Sequence, residues 1–235
     1  MRALVISDVH GNLAALEAVL RERHDLLICL GDIVGYGPEP AACIERIRSA
    51  GAVAIRGNHD ATFADGLEPG CRPAFLRLAQ AAERVTRPEL SDADVGYLAA
   101  LPSIHRMEID GARTLLVHAT PSDPLHRYLG PDVEAWRQEV ATVEEDLVLV
   151  GHTHLQFNIK AGVPRIVNPG SVGQPKDGEP TAAYAVIDRG SVELRRIRYR
   201  VEATIEAMAA RGYPPLVEAD LAALLRHGSV PAHLR

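Results

Sequence analysis

The 235-residue sequence has few cysteines and no long apolar run. Its three cysteines are scattered and form no Cys-x-x-Cys pair, which argues against a disulfide framework and indicates a reducing compartment. No apolar run approaches the ~18 residues that a membrane-spanning helix needs. The first residues turn acidic at Asp8, too early for a secretory signal. These absences predict a cytoplasmic protein with no membrane partner.

A surplus of positive charge is also missing. The 31 acidic residues outnumber the 25 basic ones, which gives a net charge of −6. This balance argues against a dedicated nucleic-acid track, although one local positive site would suffice for a small nucleotide. The length fits one large α/β domain or two small ones, and we favour a single domain over residues 1–235.

The first part of the chain alternates short apolar runs with helical patterns. Continuous apolar strands separated by helices predict a parallel sheet that is covered on both faces. The predicted strands are Ala3–Ser7, Leu26–Leu30 and Val53–Ile55, and the predicted helices are Leu13–Arg23, capped by Asn12, and a segment from Pro38 to Gly51.

The rest of the chain has a different pattern. Residues 61–103 are rich in alanine and broken by prolines, which predicts a helical insertion or lid, and residues 201–228 predict C-terminal helices. Between them, Leu147–Val150 is a buried strand, and three segments with a central turn signal predict hairpins. These hairpins are 104–118, 155–167 and 182–199. The fold class is therefore α/β (α+β): a four-layer αββα sandwich of two mixed sheets flanked by helices.

Polar residues follow the predicted strands where each strand ends, and most lie beside a glycine. Sites in open α/β sheets form at these carboxyl ends. The Gly-Asn-His-Asp tetrapeptide would arise by chance on the order of 10⁻³ times in such a chain, so its position is informative. The groups are Asp8-Val9-His10-Gly11-Asn12, Gly31-Asp32, Gly57-Asn58-His59-Asp60, His118 and Gly151-His152-Thr153-His154.

These residue types point to metal chemistry. In an extended segment residues i and i+2 face the same way, so Asp8 with His10, and His152 with His154, can each face one point. Aspartate, histidine and asparagine without thiolate suit Mn, Fe, Zn or Ni. Six or seven such groups exceed the needs of one catalytic ion and fit two ions that share a carboxylate. We expect two divalent metal ions, with Mn²⁺ as the first choice.

From Ala3 to about Tyr199, these motifs resemble the calcineurin-like metallophosphoesterase family. The segment Asn168–Pro175 further resembles its small bacterial and archaeal phosphodiesterase branch. The resemblance implies the family's ββ sandwich flanked by helices. It also implies a site in which Asp8, His10 and His154 hold one ion, Asn58, His118 and His152 hold the other, and Asp32 bridges both.

The same resemblance implies a mechanism. A hydroxide between the two ions would attack phosphorus, and His59 would protonate the leaving oxygen as the catalytic acid, with Asp60 helping to orient it. We further predict that Asn12, Tyr36 and Arg127 contact the substrate.

The predicted function is a dinuclear-metal phosphodiesterase that hydrolyses a small phosphodiester, such as a nucleotide. Three alternatives remain open at this point. Two are enzymes of the same fold: a phosphomonoesterase, and a phosphatase acting on dinucleoside polyphosphates or proteins. The third is a non-catalytic metallophosphoesterase-like scaffold, against which the full ligand set argues. The hairpin edges and C-terminal helices could support a homodimer.

Overall fold

A computed structural model of the chain describes residues 1–71, 73–160, 162 and 164–234. Within these residues it contains ten strands, eight α-helices and two short 3₁₀ turns. The strands are β1 (Arg2–Ile6), β2 (Leu26–Cys29), β3 (Val53–Ala54), β4 (Ile104–Ile109), β5 (Ala112–Val117), β6 (Leu147–Leu149), β7 (Gln156–Lys160), β8 (Arg165–Pro169), β9 (Ala182–Asp188) and β10 (Ser191–Ile197). The helices are α1 (Leu13–Val19), α2 (Pro40–Ser49), α3 (Asn58–Asp65), α4 (Pro73–Thr86), α5 (Asp92–Ala100), α6 (Val133–Glu139), α7 (Val201–Ala210) and α8 (Pro215–His227).

The strands form two mixed five-stranded sheets. The first has the order β10-β9-β1-β2-β3, in which β1, β2 and β3 are parallel and β9 runs antiparallel to β1. The second has the order β4-β5-β6-β8-β7, with a parallel centre and an antiparallel hairpin at each edge. The predicted parallel unit and all three predicted hairpins are therefore confirmed for the described residues.

Alternation along the strands builds the layers. In β1, Ala3 and Val5 point into a core shared with the second sheet, where Leu116 and Leu149 lie. Their neighbour Leu4 points to the opposite face and packs against helices of the first sheet. A separate cluster around the buried Trp136 of α6 covers the outer face of the second sheet. Successive side chains of a strand point to opposite faces of its sheet, so each sheet has one apolar face toward the other sheet and one toward helices. The molecule therefore has four layers.

The helical insertion and the C-terminal helices meet over one end of the sheets. Helix α4 packs against α7 and α8 in one apolar cluster, which also contains Tyr36 and Leu234. Helix α5 begins with a capping box between Ser91 and Asp94. The predicted helical segments at 61–103 and 201–228 are thus present, and the action of the first as a lid stays a prediction. Among the described residues, no helix is both long and apolar enough to cross a membrane.

The first predicted helix is shorter than expected. Asn12 caps α1 by accepting a hydrogen bond from Ala15, but the helix ends at Val19 rather than Arg23. Beyond the end of the helix, the Arg2 guanidinium of β1 donates to the carbonyl of Arg23 and pairs with Glu22. This tertiary contact with a strand cannot be read from helical periodicity.

Candidate metal centre and active site

The polar residues at the strand ends come together at one end of the two sheets. Asp8 and His10 follow β1, Asp32 follows β2, and Asn58 and His59 open α3 directly after the third strand. From the second sheet, His118 follows β5, and His152 and His154 follow β6. All are buried except His152, which is partly exposed. The structure therefore gathers all seven predicted ligands and the predicted acid around one place.

Five of these residues have a backbone that L-residues rarely adopt. Asp8, His10, Asp32, His152 and His154 all have φ between 50° and 64°, in the left-handed region. Such a conformation costs of order 1–3 kcal/mol per residue and persists only where the surroundings enforce it. Backbone strain of this kind concentrates at functional sites, and here it turns successive side chains toward a common point.

Three side chains form the first cluster: Asp8, His10 and His154. The Nε2 atoms of His10 and His154 lie 3.1 Å apart, and His154 Nε2 lies 3.3 Å from Asp8 Oδ1. The other ring nitrogen of each histidine faces a carbonyl oxygen. His10 Nδ1 lies 3.2 Å from the carbonyl of Val34, and His154 Nδ1 lies 2.5 Å from that of Gln174.

These contacts fix what the first cluster can bind. A nitrogen that faces a carbonyl must carry the hydrogen, so the Nε2 atoms of both neutral rings present lone pairs. Two lone pairs and a carboxylate oxygen then face one another in a buried space. Within the described chain, no N–H or O–H donor hydrogen-bonds to the buried Asp8 Oδ1. A divalent cation satisfies all three atoms, so the first cluster fits a metal ion.

The second cluster contains Asp32, His118 and His152, with Asn58 between the two histidines. Asn58 Oδ1 lies 3.1 Å from His118 Nε2 and 3.1 Å from His152 Nδ1. The remaining ring nitrogens face carbonyls, with His118 Nδ1 2.7 Å from Leu30 and His152 Nε2 3.2 Å from His126. The other nitrogen of each ring therefore points inward toward Asn58 Oδ1, and these nitrogen and oxygen atoms are donors of the kind that a second ion would need.

Asp32 lies between the two clusters. Its Oδ2 is 3.3 Å from His118 Nε2 in the second cluster and 3.8 Å from His10 Nε2 in the first. Its Oδ1 accepts a 2.8 Å hydrogen bond from the backbone N–H of His59. Burial alone would raise the pKa of Asp32, but the neighbouring histidines, His118 foremost, hold it well below its usual value. Asp32 is thus an ionised carboxylate within reach of both clusters.

His59 occupies the first turn of α3 and lines the cavity above the clusters. Its ring centroid lies 5.1 Å from that of His10 and 4.7 Å from that of Tyr36. Burial lowers its pKa to about 4, against the opposing effect of the Asp32 carboxylate. The ring is therefore neutral at pH 7 before an anion binds beside it.

We predicted that Asp60 orients His59, but the Asp60 carboxylate binds backbone N–H groups instead. The Asp60 carboxylate accepts four backbone hydrogen bonds, from Asp32 (2.8 Å), Ile33 (2.9 Å), Val34 (3.2 Å) and Gly57 (2.9 Å). Burial, and then the charge on Asp32, raise the pKa of Asp60 to about 7, while backbone N–H groups oppose that shift. Asp60 thus ties the Asp32 loop to the start of α3.

A cavity of about 440 Å³ opens above the clusters. The predicted acid His59 and four of the predicted ligands line it: Asp32, Asn58, His152 and His154. The rest of its lining is largely apolar or aromatic. It consists of Tyr36, Gly70, Cys71, Phe75, His126, Tyr128, Leu155, Lys176, Val230 and Leu234.

The three predicted substrate contacts have different positions. Tyr36 lines the cavity. Asn12 is buried below it, where its side chain caps α1, accepts from Thr204 and donates to the carbonyl of Gly173. Arg127 is not part of the cavity lining, and its guanidinium pairs with Glu139 at 2.7 Å. The structure therefore brings Tyr36 to the cavity, whereas Asn12 and Arg127 contact other parts of the protein. Substrate contact by any of the three stays a prediction.

Sequence reasoning missed Lys176, which lines the cavity 3.5 Å from His154 Nε2. Two signals pointed to it. The chain contains 23 arginines but only two lysines, Lys160 and Lys176. Lys176 also follows directly after the segment Asn168–Pro175, which carried part of the family resemblance.

Comparisons with known proteins identify the family of the chain. The family model of the calcineurin-like phosphoesterase superfamily domain matches residues 1–190. The protein MJ0912 of Methanocaldococcus jannaschii is 33% identical over 232 residues, covering 89% of this chain and 93% of its own. Phosphodiesterase YfcE of Escherichia coli is 26% identical over 202 residues, covering 80% and 88%. The crystal structure of a metallophosphoesterase from Sphaerobacter thermophilus shares 33% identity and a TM-score of 0.82, covering 97% and 99%.

The chain belongs to the calcineurin-like phosphoesterase superfamily. Its two mixed sheets flanked by helices are the fold of that family, as predicted. It is a metal-dependent phosphoester hydrolase, and its candidate ligands form the two clusters described above.

Proposed function

We propose that this protein is a dinuclear-metal phosphodiesterase that hydrolyses a small phosphodiester. One observation carries the proposal: nitrogen and oxygen donors form two groups beside one cavity, and Asp32 Oδ2 approaches a histidine of each group. A site with two ions clamps the attacking and leaving oxygens of an in-line phosphoryl displacement.

The residues divide into two ligand sets. Asp8, His10 and His154 would hold one ion, through a carboxylate oxygen and two Nε2 atoms. The other ion would be held by Asn58, His118 and His152. Asp32 would contact both, since its Oδ2 approaches a histidine of each cluster. When bound, the ions supply Lewis-acid activation of water and of the phosphoryl oxygens.

His59 is proposed as the general acid. Its ring lines the cavity beside the clusters, where it can reach a leaving oxygen. A phosphate anion bound next to the ring favours its protonated form, because a nearby negative charge raises a histidine pKa. Substrate binding would therefore favour the protonated His59 that a general acid requires, whereas burial keeps His59 neutral in the free protein. The carbonyl-bound Nδ1 atoms of His10 and His154 meanwhile keep both ligand rings in one tautomer.

The preference for diesters rests on the sequence motifs and on the relative named as a phosphodiesterase. A phosphomonoesterase of the same fold is the alternative, and ester assays separate the two.

Mn²⁺ is proposed as the metal because the donor set is nitrogen and oxygen without thiolate, with Fe, Zn and Ni as alternatives. A cytoplasmic location is proposed as well, and it agrees with the free thiols of Cys29, Cys43 and Cys71. The homodimer stays a prediction.

The test compares the wild type, Asp32→Asn and His59→Ala, each supplied with Mn²⁺. Hydrolysis of bis-p-nitrophenyl phosphate and p-nitrophenyl phosphate is measured together with bound metal. We expect the wild type to bind two ions and to prefer the diester, Asp32→Asn to lose metal and activity, and His59→Ala to keep metal and lose activity about 100-fold or more. Arg127→Ala is the control and keeps both. Activity that survives in both site variants would rule out the mechanism.

A further inference from the structure

Part of the cavity beside the metal-ligand clusters is lined by apolar side chains from three segments of the chain. Tyr36 follows β2, Phe75 lies in α4, and Val230 and Leu234 follow α8. We call these four residues the apolar wall. All four belong to, or pack against, the apolar cluster that α4, α7 and α8 form together. The packing of this cluster holds the wall in place, so the wall is a preformed surface of the cavity.

The apolar wall is continuous with the part of the cavity where the reaction would take place. The ring centroid of Tyr36 lies 4.7 Å from that of His59, the proposed acid, and 6.3 Å from that of Phe75. The Phe75 centroid lies 4.6 Å from Lys176 Nζ, which in turn is 3.5 Å from His154 Nε2. An organic group attached to a phosphorus on the clusters is therefore within reach of the wall.

The cavity is larger than a phosphoryl group needs. Its volume of about 440 Å³ lies in the range of roughly 300–1,000 Å³ that is typical of sites for whole small molecules. Among the described residues of its lining, Asp32 and Lys176 are the only ones with a carboxylate, ammonium or guanidinium group, and both border the clusters. The wall itself therefore offers apolar surface, and an apolar group that covers this surface releases water from it.

We propose that the apolar wall binds an organic group of the substrate, so that the enzyme favours phosphodiesters with at least one apolar ester group over those with polar ester groups. This inference rests on the proposed function, since it takes the phosphorus to lie on the clusters. It agrees with the diester preference expected there, because a diester carries two organic groups and a single negative charge.

The experiment measures binding without turnover. Phosphinates carry both organic groups on carbon–phosphorus bonds, so they keep the single negative charge of a diester and have no ester bond to hydrolyse. Isothermal titration of the Mn²⁺-loaded protein compares diphenylphosphinate with dimethylphosphinate. A second pair, diethylphosphinate and bis(hydroxymethyl)phosphinate, has equal numbers of heavy atoms and different polarity.

The variants change the polarity of the wall at two positions. Phe75→Gln and Leu234→Gln make the wall polar, whereas Phe75→Leu and Leu234→Met keep it apolar. Val217→Ala is the matched control, because Val217 lies in the same apolar cluster but outside the cavity lining. Circular dichroism shows which variants are folded, and if neither glutamine variant folds, the two phosphinate pairs on the wild type decide.

We expect the wild type to bind diphenylphosphinate about 10- to 100-fold more tightly than dimethylphosphinate, the factor that burial of a phenyl-sized group supplies. It should also bind diethylphosphinate more tightly than its hydroxymethyl counterpart. Each glutamine variant should reduce the phenyl preference about three- to tenfold and leave dimethylphosphinate affinity and metal content unchanged. The apolar variants and Val217→Ala should keep the preference. A wild type that lacks either preference, or folded glutamine variants that retain both, would overturn the proposal.

Hydrolysis of bis-p-nitrophenyl phosphate separates this inference from the proposed function. In an active enzyme the glutamine variants should raise KM for this diester by the same factor and leave kcat unchanged, because the wall binds ground state and transition state alike. If the wild type hydrolyses no ester but prefers diphenylphosphinate, the proposed function fails and the role of the wall stands. If it hydrolyses the diester but binds the two members of each phosphinate pair equally, the role of the wall fails alone.

Discussion

The Nε2 atoms of His10 and His154 face each other at 3.1 Å, and each ring has its other nitrogen directed at a backbone carbonyl. Both facing atoms are therefore hydrogen-bond acceptors. With the carboxylate of Asp8 alongside, two lone pairs and a negative charge lie together in a buried space, where a divalent cation would stabilise them. We therefore expect metal binding and folding stability to be coupled in this protein.

Metal removal should accordingly lower the thermal stability. A ligand present at about 100 times its Kd stabilises a protein by about 2.7 kcal/mol, which corresponds to roughly 5–10 °C for a chain of this size. We expect dialysis against a chelator to lower the Tm by about this amount and Mn²⁺ to restore it. Calorimetry of the stripped and reloaded protein measures the difference. His10→Ala should respond less to Mn²⁺, and an unchanged Tm of the wild type on stripping would contradict the coupling.

Gly57→Ala should damage the metal site through a direct clash. A Cβ at Gly57 would lie 2.1 Å from Asp32 Oδ1 and 2.4 Å from the Asp32 backbone nitrogen, so Asp32 must move. We expect loss of bound metal and destabilisation of about 2–4 kcal/mol. Gly96→Ala is the matched control. Gly96 lies inside α5 with open space around it, so alanine there should stabilise by about 0.5–1 kcal/mol. Metal analysis and urea unfolding of both variants test this contrast.

Asp60→Asn should loosen the loop that carries Asp32. The two carboxylate oxygens accept four backbone N–H groups, and an asparagine NH₂ group cannot accept the two on its side. We expect destabilisation of about 2–4 kcal/mol together with weaker metal binding. Asp65→Asn, in the same helix, removes only a partly exposed pair with Arg56 and should cost less than about 1 kcal/mol. Similar losses in the two variants would show that the Asp60 contacts are unimportant.

The pKa of His59 predicts a pH dependence for the metal-stripped protein. Burial lowers this pKa from its ordinary value of 6.5 to about 4 in the folded state. Below pH 6.5 the unfolded chain therefore takes up the proton more readily, and stability falls as the pH falls toward 4. His59→Gln removes this contribution. Its loss of stability between pH 7 and pH 5 should be smaller than that of the wild type by about 1–2 kcal/mol.

Urea unfolding at the two pH values measures this difference. His152, whose pKa burial lowers to about 3, remains in the variant, so some acid destabilisation persists. Equal losses in the variant and the wild type would contradict the burial of a neutral His59.

Much of the fold followed from local patterns. Continuous apolar runs predicted β1 and β2, and turn signals predicted all three hairpins, because strand alternation and turn chemistry act over a few residues. The end of α1 at Val19 did not follow, and the segment after it contacts Arg2 of β1, a tertiary contact that helical periodicity does not reveal. The hydrogen bonds that Asp60 accepts from the Asp32 loop were also missed, because they too join segments far apart in the chain.

The sequence by itself determined which side chains can donate to a metal, from Asp8 to His154. It also showed that these side chains come directly after predicted strands. Strand order in an α/β sheet then brings such positions to one edge. Only the tertiary structure decided which ring nitrogens point inward, that Asp32 lies between the two clusters, and that Arg127 stays outside. It alone placed Lys176 beside Phe75. The physical reason is that a ligand motif is local in the chain, whereas a cavity wall is assembled from segments about a hundred residues apart, which only packing brings together.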